Sequence, residues 1–110
     1  MERVNENNAF LKALATLPPK QATALVKTAK SRQLDSICEI ILNVIKEVIV
    51  LPKKLVKKAK KVKKVIRCLA KKTLSKKVRR KLMLKYMAII RNILQASLPI
   101  ISVALSAAQF

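Results

Sequence analysis

Not one of the 110 residues is glycine. Tight two-residue hairpin turns, which rely on glycine for positive φ, therefore lack their usual occupant. Gly-rich phosphate loops are excluded as well, because the P-loop and the dinucleotide fingerprint bring the backbone close to phosphate through glycine. Apolar residues recur at spacings of three and four along most of the chain. That period is helical, so the chain is expected to be all-α, one small bundle of about five helices.

A first helix is expected over about residues 8 to 16, with Phe10, Leu11, Leu14 and the following Leu17 inward. Pro18 ends it, and Pro19 suits the first turn of a second helix over about 19 to 29, carrying Ala22, Leu25, Val26 and Ala29 on one stripe. A third helix, about 32 to 50, is apolar over roughly 200° of its wheel and is the natural central helix. Asp35, Ser36, Glu39, Asn43, Lys46 and Glu47 fill its polar arc. Its β-branched end, residues 44–50, is the one stretch that would also suit a strand. A fourth helix begins at Pro52 and runs to about 72, with Leu55, Ala59, Val62, Ile66 and Leu69 as a narrow apolar seam. A fifth runs from about 75 to 98, where Pro99 kinks or stops it before a last apolar segment.

Charge divides the chain into zones. The formal net charge is +20, from 25 Lys and Arg against 5 Asp and Glu. Residues 1–50 hold all five acids and seven of the basic residues, whereas residues 53–81 hold sixteen basic residues and no acid. No charge at all falls in residues 92–110. The zones are a near-neutral helical core region (1–51), a basic amphipathic region (52–81) and an apolar C-terminal segment (82–110). With 52% apolar residues the chain can build a core, unlike a disordered basic tail.

Enzymatic chemistry finds few tools here. Histidine is absent, so neither a Ser–His base pair nor a common zinc ligand set can form. Cys38 and Cys68 are thirty residues apart, lack a CxxC motif and are expected as reduced packing thiols. No catalytic residue, metal or cofactor is expected, and no small-molecule substrate. The opening MERVNENNAF lacks the basic and apolar regions of a signal peptide.

The strongest functional signal is the basic region. Lys53, Lys54, Lys57, Lys58, Lys60, Lys61, Lys63, Lys64, Arg67, Lys71 and Lys72 surround the fourth helix, and Lys76, Lys77, Arg79, Arg80 and Lys81 follow. A solubilising face would mix signs; this one does not. Lysine is a flexible point charge suited to phosphate, whereas bidentate base reading favours Arg, Asn or Gln. Sequence-independent binding to double-stranded DNA follows as the expectation. Stacking on single strands is disfavoured, because Phe10, Tyr86 and Phe110 are the aromatics and none interleaves with the lysines. A helix-turn-helix drawn from the second and third helices would present an apolar, slightly acidic recognition helix, which repels phosphate. Asp35, Glu39 and Glu47 are expected to compensate lysines of the fourth helix.

The apolar C-terminal zone has two readings. As core, Leu82, Tyr86, Ile89 and Ile93 form a stripe that would pack on the third helix. As a membrane or oligomer contact, Ile89, Ile90, Ile93, Leu94, Leu98, Ile100, Ile101, Val103 and Leu105 would insert into an anionic membrane or pair with a second copy. The basic face could equally serve an adaptor that binds an acidic protein.

Residues 17–82, LPPKQATALVKTAKSRQLDSICEIILNVIKEVIVLPKKLVKKAKKVKKVIRCLAKKTLSKKVRRKL, combine an apolar helix, a proline-led basic helix and the VIRCLAKKTLSKK joint. In this the chain resembles small basic proteins of adintoviruses and Polinton (Maverick) elements, which look like the adenovirus core protein X. The resemblance implies a DNA-condensing core component of a virion, acting in the particle and the host nucleus, and it carries over no catalytic residue. Where that family has a Gly-Gly-Phe-Leu-Pro-type stretch after the basic joint, this chain continues with KLMLKYMAII.

Overall fold

The apolar spacing is realised as helix over most of the described residues. A computed structural model describes residues 2–71 and 73–108, with side chains described over 4–71 and 73–101. Among the described residues there are eight helices and no strand: α1 (Glu2–Glu6), α2 (Asn8–Thr16), α3 (Pro19–Lys27), α4 (Ser31–Ile45), α5 (Lys53–Lys61), α6 (Lys63–Ala70), α7 (Lys76–Lys85) and α8 (Met87–Ala108). The all-α expectation holds, while the number of helices exceeds the expected five.

The extra helices arise from one addition and two breaks. α1 precedes the first expected helix and buries Val4 against α4 and α2. The long basic helix breaks at Val62 (φ −99°, ψ 7°), whose N–H turns back to the Ala59 carbonyl at 3.2 Å. The last helix breaks at Tyr86 (φ −107°, ψ 19°). Geometry explains the second break. A straight helix over residues 76–108 would be about 50 Å long, whereas the molecule's longest extent is 39 Å. With the break, α7 lies on α3 and α6 while α8 turns across α2, α4 and α5.

Central α4 packs against α1, α2, α5, α6, α7 and α8. Leu34, Ile37, Cys38, Ile40, Ile41 and Val44 are all buried, as its wide apolar arc requires. Ser36, placed in the polar arc by spacing, is also buried; its hydroxyl donates to the Gln33 carbonyl at 2.6 Å. That local bond removes the cost of an unpaired buried hydroxyl.

Termination of α4 corrects the sequence reading, which ran this helix to residue 50. It ends at Ile45 in a Schellman turn: the Val48 N–H donates to the Asn43 carbonyl at 2.9 Å and the Glu47 N–H to the Val44 carbonyl at 3.1 Å. The left-handed residue of that turn is Glu47, φ 60°, at the place glycine usually takes. Residues 48–51 then run on without helix or strand, and Pro52 at the N-cap of α5 disfavours helix at Leu51 before it.

Pro99 does not stop α8, which continues through it to Ala108. Pro99 is exposed, so the carbonyl it leaves without a helical donor lies on the side where water can serve it. The C-terminal zone folds back onto the bundle. Met83, Ile90, Ile93, Leu94, Leu98 and Ile101 join one continuous core that begins at Val4. The expected stripe of Leu82, Tyr86, Ile89 and Ile93 is thus shifted; its first three members are half-buried on the flank of the neighbouring row, Met83, Ile90, Leu94 and Ile101, which is the one buried.

Candidate nucleic-acid interface

Four of the five expected seam residues on the basic helices are buried, Ala59, Val62, Ile66 and Leu69. Val56 takes the place of Leu55, which is half-buried. This seam fastens α5 to α4 and α8, and α6 to α4. A helix so anchored exposes its remaining surface in a fixed orientation. On that surface Lys53, Lys57, Lys60, Lys64, Arg67 and Lys71 succeed one another at spacings of 4, 3, 4, 3 and 4, and all six are exposed. Such spacing makes one stripe along a helix face. Lys53, Lys57 and Lys60 lie on α5, about 14 Å long. Lys64 and Arg67 lie on α6, about 12 Å long, beyond the break at Val62, and Lys71 just past its end. The stripe thus follows two short helices in succession.

The other basic residues are distributed around this stripe. Lys54 and Lys61 are exposed on its flank, while Lys58 and Lys63 are half-buried beside the seam. On α7, Lys76, Lys77 and Lys81 are exposed. Lys72 lies outside the described residues. Among the described residues no lysine of the stripe pairs with a carboxylate, and every acid of the chain precedes residue 48.

Arg67 is exposed like the lysines of the stripe, but three other arginines, Arg79, Arg80 and Arg91, turn inward. Arg79 is 5% exposed and its guanidinium meets the Asp35 carboxylate of α4 at 2.5 Å. Arg80 donates through Nε to the Ala29 carbonyl at 3.0 Å, just past the C-terminus of α3. Positive charge at that end complements the helix dipole and serves a carbonyl with no helical partner. Arg91, which sequence reasoning did not single out, does the same for α2: its Nε donates to the Leu14 carbonyl at 3.1 Å and its guanidinium also bonds the Leu17 carbonyl. Gln95 adds a bond to the Ala15 carbonyl at 2.9 Å.

These placements remove two arginines from the external basic face. Arg79 is withheld from any external ligand, and Arg80 is half-buried with its fork turned inward. Asp35 is balanced by an arginine of α7 rather than by a lysine of the basic helix. Residue type alone does not separate them, since Arg67, also among lysines, is exposed; a planar five-donor fork suits internal carbonyls and carboxylates only where the fold brings such acceptors near.

Both cysteines are free thiols. Burial pushes the Cys38 thiol up to about 11, with the Arg79 charge partly opposing that rise, so it stays protonated in the core. Cys68 is exposed, contrary to its expected packing role, because it falls on the outer side of α6.

Of the residues offered for membrane or oligomer contact, Ile90, Ile93, Leu94, Leu98 and Ile101 are core. Their apolar surface is already spent on α2, α4 and α5. Ile89 is half-buried and Ile100 exposed, while the side chains of Val103 and Leu105 lie outside those described. Among the described residues no helix is long and apolar enough to cross a membrane. Comparison of the chain with protein-family models, with curated proteins and with solved structures gives no match.

Proposed function

We propose that this protein binds double-stranded DNA through its phosphates, without reading sequence, and packs it by neutralising charge. The reading is of a non-enzymatic binding protein and, on the family resemblance, of a core component of a virus particle that meets its genome in the host nucleus. One observation carries the DNA part: six exposed basic residues at 4-3-4-3-4 spacing oppose a buried seam, so the charge is presented on an ordered face. Lysine dominates that face, which favours phosphate contact over base reading.

Gel shifts of unrelated duplexes over a salt series test it. With about eight phosphates neutralised, the log–log slope of affinity against salt is roughly −7 on any sequence. Affinity indifferent to salt, or confined to one duplex sequence, would refute the proposal. Charge reversal at Lys57, Lys60, Lys61 and Lys64 is expected to weaken all duplexes alike.

A further inference from the structure

The connection between α4 and α5 carries the most exposed large apolar side chains described in the molecule. Val48 is 66% exposed and Val50 76%, while Ile49 and Leu51 between and after them are buried. Exposure thus alternates from residue 48 to residue 51, the first two of which form a bend. The segment is also fixed: the N–H groups of Val48 and Ile49 both donate to the Asn43 carbonyl, at 2.9 and 3.1 Å. In a Schellman turn the residue at the Val48 position commonly folds back onto its own helix. Here it faces solvent instead.

Beside the valines lies a groove of about 530 Å³. Val50, Leu51 and Val56 line it together with Lys53, Lys57 and Lys60, against the single acid Glu47. Two outward valines and a lysine-lined apolar groove thus share one corner of the fold.

We infer that this corner docks on the surface of an anionic lipid bilayer, with Val48 and Val50 entering the boundary between headgroups and acyl chains and Lys53, Lys57 and Lys60 against the headgroup charges. Charge complementarity selects the occupant. A second copy of a +20 chain would bring like charge to the lysines. Nucleic acid would satisfy the lysines but offers the valines no apolar medium. An anionic bilayer supplies both, and basic residues beside a shallow apolar insertion are the usual elements of such attachment. The inference does not depend on the DNA reading, although the three lysines are common to both.

Flotation of the full chain with vesicles tests it, using phosphatidylcholine alone and phosphatidylcholine mixed with phosphatidylserine. The protein is expected to float with the mixed vesicles and to remain behind with the neutral ones. V48N/V50N changes two exposed side chains, so its thermal midpoint and its duplex affinity should match the parent, while its partition to mixed vesicles should fall about tenfold. K53Q/K57Q/K60Q should also lose vesicle binding. Failure of the parent to float with mixed vesicles, or equal flotation with neutral ones, would overturn the inference. So would a valine variant that floats like the parent, which would indicate adsorption by charge alone. Equal loss of DNA and vesicle binding by that variant would assign the corner to the DNA face instead.

Discussion

The stripe on α5 and α6 and the arginines of α7 and α8 carry the same sign of charge and use it in opposite ways. Lysines stand in water along a helix fastened by its apolar seam. Arg79, Arg80 and Arg91 turn inward, to a carboxylate and to the carbonyl ends of α3 and α2. An ammonium is strongly hydrated and tolerates exposure, whereas a guanidinium is more weakly hydrated and divides several directed bonds among fixed acceptors. A count of positive charge therefore overstates what is available to a polyanion.

The two groups therefore respond to different measurements. Arg79→Ala leaves Asp35 of α4 without its partner on α7 and is expected to cost about 3 to 5 kcal/mol of stability, read by urea unfolding, with the salt slope of DNA binding in the folded protein intact. Unchanged stability would remove the buried pair from the account. Lys53, Lys57, Lys60 and Lys64 changed together to Gln should do the reverse. Duplex affinity should fall roughly a hundredfold, about 2.7 kcal/mol, and the salt slope should shrink by roughly 3 to 4, while the melting midpoint holds or rises. A set confined to Lys58 and Lys63, half-buried beside the seam, should move the slope less.

A smaller effect comes from Cys38, which lies near Arg79 in the core. Below its ordinary pKa of 9.0 the thiol is protonated in folded and unfolded chains alike, and its contribution does not vary. As pH rises from 9.0 toward about 11, the unfolded chain releases the proton first. Stability is then lost, by about 2 kcal/mol at most, and Cys38→Ala should lack this component when the two proteins are unfolded across that range. The smallest change expected is at Glu47. Relief of its left-handed backbone in Glu47→Gly should add about 1 kcal/mol, less the entropy glycine gives the unfolded chain. A destabilised variant would show that the Glu47 side chain contributes more than its backbone costs.

Much of this fold can be read in the sequence because its signals are local. Prolines 18 and 19 mark the end of α2 and the start of α3, and α2 occupies the residues its spacing indicated. The seam of the basic helices is likewise a matter of periodicity. The rest depends on distant partners. Nothing near Val62 or Tyr86 announces a break; each lets the chain wrap around α4. Which of two adjacent apolar rows on α7 and α8 is covered depends on where α2, α4 and α5 lie, so Met83, Ile90, Leu94 and Ile101 are buried in place of the row that spacing picks. Arg79 and Arg80 look like part of the basic run until α4 and the end of α3 come into contact with α7. The lysines of the candidate interface were identifiable from composition alone, but their alignment opposite a buried seam required the fold.

The spacing of the stripe has a further consequence. Basic side chains three and four residues apart on a helix repel one another, each pair by a few tenths of a kcal/mol, and no acid on α5 or α6 relieves them. Left alone, these two short helices would unwind; Val56, Ala59, Val62, Ile66 and Leu69 hold them against that repulsion. The stripe is in effect a compressed spring, with the core as its clamp. Any bound polyanion relaxes it, so α5 and α6 should tighten on loading, and hydrogen exchange should slow there first.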